Sequence, residues 1–203
     1  MSDIRILLWD FGDTLCDERF IWNHGPEWLE VYQTFDQGIG AAWCRGEVEI
    51  ARFAKGIANR VGLSVPAVLE HLKTSCRQVA FFPKTDDFFR THPLPCAIVT
   101  VNPDLFSTEI VPHYQLAETC DVIVTSWEEG TLDKGELCAI ALERWAEECD
   151  PSEALLIDNK QANLDAWSER GGATYLYTTD DRFAEDVGPQ SNHPILGRLP
   201  AGG

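Results

Sequence analysis

The sequence predicts an α/β protein, a doubly wound, Rossmann-like parallel sheet with helices on both faces, interrupted by an inserted α-helical cap. Three observations carry this expectation. An apolar run, Ile6-Leu7-Leu8-Trp9, ends in Asp10 and a glycine turn. From about residue 93 onward, short apolar runs alternate with helical patterns, as in a parallel sheet covered on both faces. Between these parts the chain shows helical periodicity and no strong strand.

Residues 4–10 read as a buried strand. Glu27 to Gln37 reads as a helix carrying Trp28, Val31, Tyr32 and Phe35 on one face, and Gly38 and Gly40 then punctuate the chain. A second helix, Glu47 to Arg60, presents Ile50, Phe53, Ile57 and Val61 at the same period, and Gly62 suits its C-terminal cap. Ser64 followed by Pro66 opens a third helix through Leu69, Leu72 and Val79. Strands are then expected at Cys96–Thr100, Val122–Thr125, Ala154–Asp158 and Ala173–Tyr177. The clearest intervening helix runs from Lys134 to Glu148, with Leu137, Ile140, Ala141 and Trp145 inward. The tail beyond Gly188 reads as irregular. The division is an α/β core of residues 1–15 and 93–203 and a helical cap of residues 16–92, placed to cover the strand ends as a lid.

Composition narrows the function classes. The 203 residues carry a net charge of −17, which disfavours nucleic acid and anionic membranes, since both need basic patches. No apolar run approaches the roughly 20 residues that span a bilayer, and Arg5 interrupts the first apolar stretch, so a cytoplasmic protein is expected. The seven cysteines (16, 44, 76, 96, 120, 138 and 149) form no Cys-x-x-Cys pair and read as reduced thiols rather than a zinc site. Either a monomer or a homodimer is compatible with an apolar cap face.

Several polar residues stand where apolar runs end. Asp10 leaves the first strand, Thr100 the second and Asp158 a later one, while Lys134 opens a helix. Such exits converge on one edge of an open α/β sheet. Two carboxylates there can share a Mg²⁺, a hard ion suited to oxygen ligands. Lys134, the Thr100 hydroxyl and the backbone N–H groups of Val101 and Asn102 can hold phosphate oxygens. Asp10 can then attack phosphorus to form an aspartyl phosphate that water cleaves.

This order of residues resembles the motifs of the haloacid dehalogenase (HAD) superfamily, over about residues 4–178. Asp10 matches the nucleophile and Thr14 the closing threonine of a motif that usually reads Asp-x-Asp-Gly-Thr. Thr100 with Asn102 matches the second motif and Lys134 the third, although Lys134-Gly135 replaces the usual Lys-Pro. Asp158-Asn159 followed by Asn163 is similar to the acidic fourth motif, with Asn159 in place of a common second Asp. The resemblance implies Mg²⁺ held by Asp10, the Gly12 carbonyl and Asp158, and a small phosphorylated metabolite as substrate. Asn163 is expected to orient Asp158 from behind.

Gly12-Asp13 stands where Asp-Gly is usual. A backbone carbonyl at Gly12 still suits a metal, but the general acid–base of the family's phosphatases is missing. General acid catalysis is typically worth about 10²–10⁴-fold, so weak phosphatase activity is expected unless Asp13, a cap residue such as His24, or an acidic leaving group compensates. The family's dehalogenases also lack this acid, and work without metal and with a cap arginine. Arg19 and Arg45 are the candidates for that role. The alternatives to a phosphatase are therefore a metal-free 2-haloacid dehalogenase and a non-hydrolytic phosphate-binding module. The plainer reading of Asp13 is a turn former, and Glu128-Glu129 and Asp180-Asp181 read as solvated loop charge.

Overall fold

The structure is a computed structural model that describes residues 3–21 and 36–199. The expected helix from Glu27, with Trp28, Val31, Tyr32 and Phe35, lies outside the described residues, as do Trp22, Asn23 and His24. Strands β1 (Ile6–Trp9), β2 (Cys96–Thr100), β3 (Val122–Thr125), β4 (Ala154–Asp158) and β5 (Ala173–Leu176) form one sheet in the order β3-β2-β1-β4-β5. Every pairing is parallel. The chain steps outward from β1 to β3, then returns to place β4 on the other side of β1. The order therefore reverses at the β1/β4 boundary, which makes the crevice above those two strand ends the expected ligand position.

Alternation along β1 divides the core into two faces. Leu7 and Trp9 join Ile98, Leu155, Ile157 and Tyr175 on one face. Ile6 and Leu8 join Ala97, Val99, Ala154 and Leu156 on the other, against Leu137, Cys138, Ala141, Leu164 and Trp167. The second set of helices comprises the long helix Lys134–Arg144 and the helix Gln161–Ser168.

In chain order the helices of eight or more residues are α1 (Ile50–Val61), α2 (Val65–Cys76), α3 (Pro83–Thr91), α4 (Lys134–Arg144), α5 (Gln161–Ser168) and α6 (Asp180–Val187). Helices α1 and α2 pack on each other within the insert, burying Phe53, Ala54, Ile57, Val68 and Leu72. Ser64 caps α2 by accepting from the Ala67 N–H at 3.3 Å, and Gly62 ends α1 in the left-handed region at φ 71°, both as the sequence predicts. Two ends differ from expectation. The α2 helix stops at Cys76, and Val79 instead donates its N–H to the Tyr114 hydroxyl at 2.8 Å. The α4 helix stops at Arg144 rather than Glu148, because Arg5 holds the following segment. Its guanidinium lies over the Trp145 ring and bonds the Glu148 carbonyl and the Glu147 carboxylate.

Helix α3 lies before residue 93 and so within the span assigned to the cap, yet it packs on the sheet. Phe89 meets the Trp9 ring edge-on at 5.7 Å, and Phe183 of α6 meets it at 5.6 Å. Its N-cap residue, Phe82, has no side-chain acceptor, so Asp180 supplies one from across the fold. The Asp180 carboxylate accepts from the N–H groups of Lys84 and Thr85 and from the Thr85 hydroxyl. The reading of Asp180-Asp181 as solvated charge is thereby corrected for Asp180, whereas Asp181 is exposed and pairs with Lys84 at 2.6 Å on the surface. Of Glu128-Glu129, Glu128 is exposed as expected and only Glu129 departs from solvated charge, being half-buried. Glu129 pairs with Arg144 at 2.7 Å and Glu128 accepts from the Ser107 hydroxyl.

All seven cysteines are free thiols, with Cys16, Cys76, Cys96 and Cys138 buried. Among the described residues no helix is long and apolar enough to cross a membrane. A close approach at Gly172 locks β5 to α5, because a Cβ there would stand 2.0 Å from Nε1 of the fully buried Trp167. That indole has no room to retreat and lies with its Nε1 3.3 Å from the Ala154 carbonyl. Gly172→Ala is expected to cost about 1–3 kcal/mol, the usual range for overpacking. Urea unfolding checks this, and an unchanged midpoint would contradict it.

Candidate active site

The site begins with strand register. Trp9 lies opposite Ile157, and the Asp10 N–H donates to the Ile157 carbonyl at 3.0 Å, so pairing continues one residue past β1. Asp10 and Asp158 therefore leave neighbouring strands side by side at the point where strand order reverses. Lys134 reaches them from the first turn of α4, whose N-cap Asp133 accepts from the Glu136 N–H at 2.9 Å.

The Lys134 ammonium is fully engaged. Its Nζ lies 2.6 Å from Asp10 Oδ1, 3.2 Å from Asp158 Oδ2 and 2.8 Å from the Val99 carbonyl. An ammonium has three N–H donors, and three acceptors surround this one. In this geometry Lys134 gathers the two carboxylates. The plain reading of Lys134 as solvated fails, since only 1 % of it is exposed. Burial pulls its pKa down, but the fields of Asp10 and Asp158 outweigh that, and the net shift is upward. Burial, and then the Asp10 charge, push the Asp158 carboxyl above its ordinary range, against the opposing pull of Lys134, the Lys160 N–H and Asn163.

Asn163 does what the sequence predicts. Its Nδ2 stands 3.1 Å and 2.9 Å from the two Asp158 oxygens, while the Lys160 N–H donates to Oδ1 at 2.7 Å. On the other side, buried Thr100 accepts from Asn102 Nδ2 at 2.7 Å, with half-buried Val101 between them. The Ser126 hydroxyl lies 2.8 Å from the Cys44 carbonyl and 3.2 Å from that of Asn102, which ties the loop after β2 to the insert. Trp43 adds a second tie, its Nε1 donating to Asp104 at 2.8 Å.

The segment between Asp10 and Glu18 is a tightly bonded flap. Leu15 N–H bonds the Phe11 carbonyl, Asp13 N–H bonds the Cys16 carbonyl, and Cys16 bridges onward to Phe81. Asp13 sits at φ 56°, a left-handed conformation that Asp tolerates, and its Oδ1 accepts from the Glu18 N–H at 3.0 Å. It is an exposed turn former, as its plainer reading holds. Glu18 is a residue the sequence gave no reason to select. Its side chain folds back over Gly12, whose added Cβ would stand 3.2 Å from the Glu18 Cδ and Oε2. Burial, and then the charges of Asp10, Glu18, Asp13 and Asp17, push the Cys16 thiol well up, a sign of how densely carboxylates surround the flap.

The donor set suits a hard cation. Asp10, the Gly12 carbonyl and Asp158 offer only oxygen, and the buried Asn159 Oδ1 has no hydrogen-bond partner among the described residues. The buried Thr14 hydroxyl is likewise unpartnered among them, an orphan that calls for an explanation at this spot. Among the described residues no three His, Cys, Asp or Glu side chains gather as a cage, so such an ion would rest on two carboxylates, carbonyls and water. Beside these residues lies a cleft of about 600 Å³, lined by Asp13, Phe82, Asn159, Tyr177, Thr179 and Asp180 among others. Arg19 turns onto Asp17 and Arg45 onto Glu47, so neither arginine considered for halide chemistry reaches Asp10.

No protein-family model matches the chain, and no curated protein matches it by sequence. Solved structures do resemble it. The L-2-haloacid dehalogenase of Xanthobacter autotrophicus, with chloropropionic acid covalently bound, superposes with a TM-score of 0.65 at 14% identity, over 91% of this chain and 82% of that one. A HAD family enzyme of Bacteroides thetaiotaomicron, in complex with magnesium and inorganic phosphate, gives 0.62 at 19% identity, over 87% and 95%. A predicted HAD-like family hydrolase from Porphyromonas gingivalis gives 0.64 at 12% identity, over 86% and 91%. At these identities the likeness defines the fold: the chain has the α/β fold of the HAD enzymes.

Removing Lys134 would leave two buried carboxylates facing each other without a counter-charge. Lys134→Met is expected to cost about 3–5 kcal/mol in metal-free buffer, as for other broken buried pairs. The loss should shrink when Asp10→Asn is added, because one of the repelling charges is gone. Urea unfolding of the single and double variants checks this, and strictly additive losses would contradict it.

Proposed function

We propose that the chain is a HAD superfamily hydrolase that cleaves a small phosphate monoester with Mg²⁺, through an aspartyl phosphate on Asp10. The observation that carries this reading is the second carboxylate. Asp158 is buried against the same ammonium as Asp10, and a single attacking carboxylate has no need of such a neighbour. A pair of them has a use where a cation is shared. Asp10, the Gly12 carbonyl and Asp158 would hold Mg²⁺, which supplies the positive charge that lets a phosphate dianion approach a carboxylate.

The protein's own groups then divide the work. Lys134 bonds Asp10 Oδ1, which orients the carboxylate and leaves its other oxygen to attack phosphorus. The Thr100 hydroxyl and the N–H groups of Val101 and Asn102 hold phosphoryl oxygens. Asn163 and the Lys160 N–H hold Asp158 in place and favour its charged form. The open cleft beside Asp13 and Asn159 gives the rest of a small phosphorylated metabolite room to lie against Phe82 and Tyr177. The orientation of Arg19 and Arg45 speaks against a dehalogenase, whereas the likeness to the Xanthobacter enzyme keeps that chemistry in the test.

Purified protein is expected to hydrolyse p-nitrophenyl phosphate with Mg²⁺, to lose activity in EDTA and regain it on Mg²⁺ addition. Asp10→Asn should reduce turnover to background while changing the unfolding free energy by about 1 kcal/mol or less, since the near-isosteric change keeps the packing and Lys134 keeps Asp158 as its counter-charge. Halide release from a 2-haloacid that ignores EDTA would assign the dehalogenase reaction instead. Phosphate and Mg²⁺ raising the melting temperature with no ester consumed would assign a binding module.

A further inference from the structure

A phosphate ester has two ends. The groups around Asp10 serve the phosphoryl end in the proposed reaction, and the cleft of about 600 Å³ beside them is left for the other. Strand register sets how far apart the two lie. Leu176, the last residue of β5, stands opposite Asp158 in the parallel pairing, and the Tyr177 N–H donates to the Asp158 carbonyl at 2.9 Å. Neighbouring strands are about 4.8 Å apart, so the step from Asp158 to the cleft wall is one strand wide. Asn159, the residue after Asp158, lines the cleft as well.

That wall is apolar. Leu176 is 43 % exposed, and among the described residues Leu63 is the one other large apolar side chain so open. A single exposed leucine is ordinary on a protein surface, but this one lines the same cleft as Phe82 and Tyr177. The two rings stack at 5.9 Å with 22° between their planes, and the Tyr177 hydroxyl is spent on Thr85 Oγ1 at 3.1 Å. The charge of the cleft has one sign. Asp13 and Asp180 line it, and among the described residues no lysine, arginine or histidine does. Lys84 turns onto Asp181 and Arg19 onto Asp17. Asp180 is fixed at the start of α3 by the N–H groups of Lys84 and Thr85 and by the Thr85 hydroxyl. A second anionic group on the substrate would meet two carboxylates here and no counter-charge from the cleft lining.

We propose that this cleft selects the leaving group of the ester. Leu176, Phe82 and Tyr177 pack an uncharged, apolar body, and the carboxylates of Asp13 and Asp180 turn away one that carries negative charge. The assignment rests on the phosphomonoesterase reading and narrows its substrate class. Phosphate monoesters of apolar alcohols or phenols fit it, whereas bisphosphates and phosphorylated carboxylic acids do not. Discrimination of this kind combines an attractive surface for one class with a repulsive charge against the other.

The test is competitive inhibition of p-nitrophenyl phosphate hydrolysis, with Mg²⁺, by three phosphonates: benzylphosphonate, its 4-carboxy derivative and methylphosphonate. None of them is hydrolysed, so leaving-group chemistry does not enter the comparison. In wild type the inhibition constant of benzylphosphonate is expected to lie about tenfold below that of the carboxy compound. It should also lie about tenfold below that of methylphosphonate, which cannot reach the apolar wall. Asp13→Asn should narrow the first ratio severalfold. Asparagine tolerates the backbone at φ 56° and can still accept from the Glu18 N–H. Leu176→Ala, at an exposed position, should narrow the second. Equal constants in wild type, or tighter binding of the carboxy compound, would overturn the selection while hydrolysis of the p-nitrophenyl ester upholds the phosphatase reading. Ratios unmoved by both substitutions would overturn its assignment to this cleft. Wild type inert toward p-nitrophenyl phosphate would overturn the reading and the selection together. The wild-type ratios need no variant to fold, and each variant's ratios are internal to it, so partial loss of structure cannot imitate the expected pattern.

Discussion

Three charges packed at the edge of a sheet organise this protein: one ammonium, Lys134, between two carboxylates, Asp10 and Asp158. Ions taken from water lose several kcal/mol each in solvation, and a close partner must offset that loss. Here the offset is incomplete by count, since two negative charges meet one positive. The upward shift of Asp158, from burial and from Asp10, expresses the imbalance. A site left one positive charge short attracts a cation. In the proposed reaction a divalent ion would make the cluster net positive and let an anion approach Asp10, which would otherwise repel it.

The fold explains how such an arrangement is held. Parallel pairing sets Asp10 beside Asp158 by register, and the reversal of strand order leaves the crevice above them free of a crossover helix. Helix α4 reaches the pair from the face built by Ile6, Leu8 and Val99, so that the apolar packing of Leu137 and Ala141 aims the Lys134 stem. Trp9, one residue before Asp10, is clamped between α3 and α6 by Phe88, Phe89 and Phe183. Apolar burial on one side of β1 and ionic attachment on the other therefore hold Asp10 in a single position, the condition for an oriented attack.

Much of this was legible in the residues. The four strands after β1 in the sheet, the cap of α2 at Ser64, the glycine stop of α1 and the pairing of Asn163 with Asp158 all follow from local pattern. What local pattern could not show depends on contacts distant in sequence. Helix α3 looked like insert because its aromatic residues are apolar in either setting, and only Trp9 and Phe183 reveal where they pack. Asp180 looked solvated because nothing near it in sequence says that it caps a helix almost a hundred residues earlier. Lys134 could be recognised as a site residue, but its hydrogen-bond partners are set by tertiary distances. Glu18 left no trace, since no spacing rule connects a glycine to a carboxylate six positions later across a closed flap.

The most direct measurement is calorimetric titration of Mg²⁺ into wild type and into Asp158→Asn. Binding of one ion per chain, lost when Asp158 is neutralised while the fold persists, is the outcome required by two carboxylates sharing a cation. Binding that is absent from wild type, or unchanged by Asp158→Asn, would contradict the claim that this charge deficit is what the site is built around.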